Sequence, residues 1–202
     1  MCIGVIVAGG RSRRMGGGDK FLLPLGEKTI IERTVDRAVT QVTSLLFNCN
    51  SEREGISSIG IPVVKDIFEG WRGPLAGIHA GLNWMTQNQP ESEWLASFAA
   101  DTPFFPEDLV GRLLEQAEIN SCDLVVATHN SEIQPLFALW NISLLYRLEE
   151  HLLNGGNPKM QTWMASQNTS YVEFGNAEQN PFFNINTPSD LSEAESMVKS
   201  KK

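Results

Sequence analysis

The chain has 202 residues, 42% of them hydrophobic, which suffices for one well-buried domain and is short for two. Its 24 acidic and 16 basic residues leave a formal net charge of −8, against general binding to nucleic acid or an anionic membrane, since both reward a basic surface. No apolar run reaches the roughly twenty residues of a membrane span and no signal-like segment precedes Ile3, so a cytoplasmic protein is expected.

The first predicted element is a buried strand, Ile3–Ala8, which breaks at Gly9-Gly10 into a loop rich in glycine and arginine. Arg11, Arg13, Arg14 and Lys20, four of the 16 basic residues, fall within ten positions of an acidic chain. Glycines free backbone N–H groups to turn toward an anion, so this composition reads as a phosphate cradle. It is neither the P-loop, because no Gly-Lys-Ser/Thr appears, nor the Gly-x-Gly-x-x-Gly dinucleotide loop. Further strands are predicted at Ser44–Asn48, Ile61–Val64, Trp94–Ala99 and Leu124–Ala127, alternating with helices. The first helix opens on a capping box, Thr29-Ile30-Ile31-Glu32, and Pro74 and Pro106 suit the first turns of two more. Later in the chain, strands at Leu136–Leu139 and Tyr171–Phe174 flank a leucine-rich helix. Thr187-Pro188-Ser189-Asp190 starts a final helix ending near Val198, with a frayed tail after it. The alternation describes a single α/β domain, a mainly parallel sheet with helices on both faces.

In such a sheet ligands bind beyond the carboxyl ends of the strands. The residues delivered there are the glycine-arginine loop, Asn48, Lys65-Asp66 and Asp101-Thr102-Pro103. Asp101 ends an apolar run, and a carboxylate there can hold the hard cation that a nucleoside triphosphate brings. Asn184 and Asn186, two apart, would share one face of a strand and reach one ligand. Gly73 and Gly77, around the start of a helix, would allow close approach to a base or a neighbouring strand. Cys2, Cys49 and Cys122 are odd in number and scattered, so reduced thiols are expected; His79, His129 and His151 are read as packing or surface residues.

Val7-Ala8-Gly9-Gly10, then Arg14-Met15-Gly16, then Asp19-Lys20 resemble the opening signature of the GT-A-like, Rossmann-like nucleotidyltransferases, and the Asp-Lys ending looks most like the molybdenum cofactor guanylyltransferases. Gly73–Leu82, Gln134–Trp140 and Phe183–Pro188 match the same family, so the resemblance runs from about Val5 to Leu191. It implies transfer of GMP from GTP to molybdenum-molybdopterin with release of pyrophosphate, a nucleotide-binding part at about 1–130 and an acceptor-binding part at about 131–198. Catalysis would fall to Arg14, Lys20 and Asp101, with Mg2+ on Asp101. Nucleotide and acceptor would be bound by Val7, Ala8, Gly9, Gly10, Lys20, Asn48, Asp66, Gly73, Gly77, Asp101, Asn184 and Asn186. Transient contact with molybdoenzymes or other cofactor-biosynthesis proteins is also implied. One departure concerns Gly155–Lys159, where family members often carry an acceptor-binding arginine and this chain offers Lys159. Two alternatives stay open, a nucleotidyltransferase using another nucleotide such as CTP, and a non-catalytic nucleotide-binding protein that delivers the cofactor.

Overall fold

The computed structural model describes residues 1–8, 19–50, 56, 59–70, 73–155, 159–175 and 180–200. Its elements are β1 (Cys2–Val7), β2 (Pro24–Leu25), β3 (Lys28–Thr29), α1 (Ile30–Val39), β4 (Ser44–Asn48), β5 (Val63–Val64), α2 (Pro74–Asn88), β6 (Trp94–Ala99), α3 (Leu109–Asn120), β7 (Leu124–His129), β8 (Glu132–Asn141), α4 (Leu145–Leu153), α5 (Met160–Ala165), β9 (Thr169–Glu173) and α6 (Pro188–Ser200). Seven strands form one sheet in the order β5-β4-β1-β6-β8-β7-β9. All run parallel except β8, which is antiparallel to both β6 and β7. The strands β2 and β3 make a small separate hairpin.

β1 lies at the middle of the parallel half and is buried along its whole length, which is why it reads as an uninterrupted apolar run. Its side chains divide by period two: Cys2 and Ile6 join a core with α1 and α3, whereas Ile3, Val5 and Val7 join a second core with α2, α4 and α5. Helices therefore cover both faces, as the sequence predicts. The capping box forms, with Thr29 Oγ1 accepting from the Glu32 amide and the Glu32 carboxylate accepting from the Thr29 amide at 2.6 Å. Pro74 occupies the first turn of α2.

Several expectations are corrected. Pro106 precedes α3 as part of a turn, and the helix begins at Leu109. The strand expected over Ile61–Val64 shrinks to Val63–Val64, because Pro62 has no N–H to give the ladder and offers only its carbonyl, to Phe47. The strand expected at Leu136–Leu139 is the inner part of the longer β8. It pairs with β7 through a two-residue turn, Asn130-Ser131, in which both residues have positive φ. Between Val126 and Ala127 the β8 partner jumps from Ala138 to Gln134, which leaves Pro135, Leu136 and Phe137 out of register beside the end of β6. The short helix α5 was not foreseen.

Candidate nucleotide and acceptor site

The parallel strands β5, β4, β1 and β6 all end on one rim, and the chain extends their ladders by a residue or more. The Ala8 amide donates to Asn48 O at 3.0 Å, and the Ala100 amide donates to Val7 O at 3.2 Å. Val7 is 3% exposed and serves as core. The Ala8 amide, expected to face an anion, is committed to the ladder instead. Gly9, Gly10, Arg11, Arg13 and Arg14 lie outside the described residues.

Lys20, in a 3-10 turn (Lys20–Leu22), is the junction of the site. Its ammonium lies 2.5 Å from Asp101 Oδ2 and donates to Asn186 Oδ1 at 2.5 Å. The side chains of Lys20 and Asp101 are only 14% and 18% exposed. Three segments far apart in sequence thus converge on one charge. Asp101 is further fixed by Thr102, whose hydroxyl donates to Oδ1 at 3.2 Å, and by its own carbonyl, which accepts from the Ile185 amide at 3.0 Å.

That last bond docks an arm, residues 183–187, onto the rim. The arm is not the strand expected for it, yet the alternation survives: Ile185 is fully buried against Leu25, Ile30 and Ala194, while Asn184 and Asn186 on either side are exposed. A reciprocal cap anchors its end. The Asp190 carboxylate accepts from the amides of Asn186 and Thr187, both at 2.8 Å, and Thr187 Oγ1 accepts from the Asp190 amide at 3.2 Å. The Asn186 amide, then the Thr187 groups and the Lys20 charge, hold the Asp190 carboxyl below its usual range.

On the far side of the rim, the side chain of Asn48 is buried and donates to Asp66 Oδ1 at 2.9 Å and to Val64 O at 3.3 Å. Asn50, which the sequence reading missed, donates to Asp66 Oδ2 at 2.8 Å and accepts from the Asp66 amide at 2.9 Å. Its signal was present in the i, i+2 spacing from Asn48. Gly77 packs directly on the Asn48 side chain, and a Cβ there would collide with Asn48 Oδ1. Gly73 caps the start of α2 with φ of 72°, a conformation that glycine adopts without strain. Lys159 is exposed at the start of α5; its neighbours 156–158 lie outside the described residues.

Under the arm runs a chain of rings. Phe98 and Phe105 are 5.1 Å apart, Phe105 and Phe137 5.4 Å, Phe137 and Phe182 4.9 Å, and Phe182 and Phe174 5.9 Å. Phe137 reaches this chain because it belongs to the displaced part of β8. A groove of about 410 Å3, lined by Lys28, Arg33, Arg37, Phe104 and Glu107 among others, contains none of the expected site residues.

One carboxylate and one neutral amide oxygen, both on the Lys20 ammonium, form a hard-oxygen donor set. It suits Mg2+, which takes one or two carboxylates and fills its shell with substrate phosphates and water. Among the described residues no three His, Cys, Asp or Glu side chains gather as an all-protein cage would require. No helix among them is long and apolar enough to cross a membrane.

The MobA-like NTP transferase domain matches residues 4–170. A molybdenum cofactor guanylyltransferase of Rhodopseudomonas palustris (strain HaA2) is 37% identical over 194 residues, covering 96% of this chain and 91% of that protein. One from Mesorhizobium japonicum is 38% identical over 200 residues, covering 98% and 96%. The crystal structure of molybdopterin-guanine dinucleotide biosynthesis protein A from Archaeoglobus fulgidus superposes with a TM-score of 0.79 at 29% identity, covering 99% of this chain and 100% of that one. With the rim, the junction and the arm of this fold in place, the chain belongs to the MobA-like nucleotidyltransferases, in the family of the molybdenum cofactor guanylyltransferases.

Proposed function

We propose that the protein transfers GMP from GTP to the terminal phosphate of molybdenum-molybdopterin, forming the guanine dinucleotide cofactor and releasing pyrophosphate in the cytoplasm. The observation that carries this reading is the Lys20–Asp101–Asn186 junction, where a cation, a carboxylate and a side-chain amide from the arm meet on the rim of the parallel strands. Asn48 and Asp66 take the base and ribose end, with Gly73 and Gly77 shaping the wall beside them. Asp101 holds Mg2+, which supplies charge neutralisation to the phosphates. Lys20 and Arg14 neutralise the charge that grows on the leaving pyrophosphate, and the amides of Gly9 and Gly10 cradle the phosphate chain. Asn184 and Asn186 orient the acceptor. Its phosphate is already anionic at neutral pH, so no side chain has to remove a proton to make the nucleophile, and positioning carries most of the rate.

The test is pyrophosphate release on adding molybdenum-molybdopterin, with GTP, ATP, CTP and UTP compared by kcat/KM. GTP is expected to lead by at least about tenfold, equivalent to roughly 1.4 kcal/mol of discrimination. A CTP preference would make the enzyme a cytidylyltransferase, and binding of GTP without pyrophosphate release would make it a carrier.

A further inference from the structure

We infer that Asn50 is a positioning residue for the nucleoside end of the substrate, acting through Asp66; the inference rests on the GTP reading above. Asp66 follows the shortest strand of the sheet, the two-residue β5, so little ladder holds it in place. Its orientation is set instead by two asparagines from the end of β4. Asn48 donates to one carboxylate oxygen, Oδ1, at 2.9 Å, and Asn50 donates to the other, Oδ2, at 2.8 Å. Asn50 also accepts from the Asp66 backbone amide at 2.9 Å, so one side chain grips Asp66 at both ends.

The two asparagines differ in what fixes them. Asn48 is buried, with Gly77 packed against it and a second bond to Val64 O. Asn50 is exposed, so its pairing with Asp66 adds little to global stability but removes a rotor from the carboxylate. A carboxylate held at both oxygens presents its remaining lone pairs in one fixed plane, which is what recognition of a donor pair on a ligand requires. With Asn50 gone, one oxygen stays anchored on Asn48 and the group can swing about it.

The experiment is calorimetric titration of the full chain and of Asn50→Ala and Asn50→Asp with MgGTP and, separately, with magnesium tripolyphosphate, which carries the phosphates but no nucleoside. Asn50→Ala should weaken GTP about tenfold. Asn50→Asp, nearly isosteric but facing Asp66 with a like charge, should weaken it more. Tripolyphosphate affinity should stay within about twofold in all three proteins, as should kcat at saturating GTP. Equal GTP affinity in the wild type and Asn50→Ala would overturn the inference, and so would a parallel loss toward tripolyphosphate, which would mark general damage to the rim. A wild-type chain that binds no GTP would overturn the GTP reading itself and the inference with it.

Discussion

In the parallel half of the sheet, three polar rim residues stand close to the strands that deliver them: Asn48 is the last residue of β4, Asp66 comes two after β5 and Asp101 two after β6. The half proposed to bind the acceptor works differently. Its one antiparallel strand, β8, is out of register at Pro135–Phe137, its hairpin turn is braced by Glu173 from β9, and Asn184 and Asn186 sit on an arm that belongs to no strand. Local chain geometry places the first set of groups, whereas long-range packing places the second. A substitution should therefore act on the nucleotide side when it is at the rim, and on the acceptor side even when it lies beneath the surface.

The sharpest break on the nucleotide side is Asp101→Asn. The amide keeps the shape but removes the charge that Lys20 faces and the anchor offered to the cation, so turnover should fall about 10²-fold or more. Circular dichroism should be unchanged, since the pair is a rim feature and not core. Near-normal pyrophosphate release at ordinary Mg2+ would take Asp101 out of the metal site.

Phe182→Leu tests the other half from below. The leucine fills most of the space but loses the ring contacts to Phe137 and Phe174, at a cost of about 1.5 kcal/mol in stability. Because Phe182 leads directly into the arm, KM for the acceptor should rise severalfold while GTP affinity stays level. Equal effects on both substrates would show that the two halves are not independently built.

The smallest effect is a pH dependence in the hairpin brace. The Glu173 carboxylate accepts from the Thr128 hydroxyl at 2.8 Å and from the amides of Asn130 and Ser131, and these bonds, the hydroxyl first, hold its carboxyl below the ordinary value of 4.5. A depressed carboxyl stabilises the folded state above its unfolded value, and the contribution is lost as pH falls from there through the lowered one. The difference in Tm between the wild type and Glu173→Gln should shrink over that window. A difference that does not vary with pH would mean the brace is not ionic.

The same contrast explains what the sequence made legible. β4 and β6 were read with the bounds they have, because an apolar run stopping at a polar residue is a local signal, and that signal also marked Asn48, Asp66 and Asp101. The caps at Thr29 and Thr187 were legible for the same reason. The hairpin was missed because Asn130-Ser131 lacks the usual glycine and its brace comes from a residue more than forty positions away. Asn50 was missed because it stands beyond the strand end, where alternation is no longer expected to persist. The arm reads as a strand in the sequence because Asn184-Ile185-Asn186 alternates like one, although a single buried isoleucine and one backbone bond to Asp101 produce that pattern.

The Lys20–Asn186 bond joins residues 166 positions apart. Seen as a schedule of synthesis, the wide span means that the strands of the rim leave the ribosome well before the closing arm. At about 5–20 residues per second, a growing chain spends on the order of ten seconds with Asp101 made and Asn186 still to come. Loop closure over so long a stretch costs little more than over half of it, because the entropy grows only with the logarithm of length. The delay is therefore one of order and not of difficulty: the Lys20–Asp101–Asn186 junction closes when Ile185 finds its pocket, and until then the rim of the nascent protein stands without its arm.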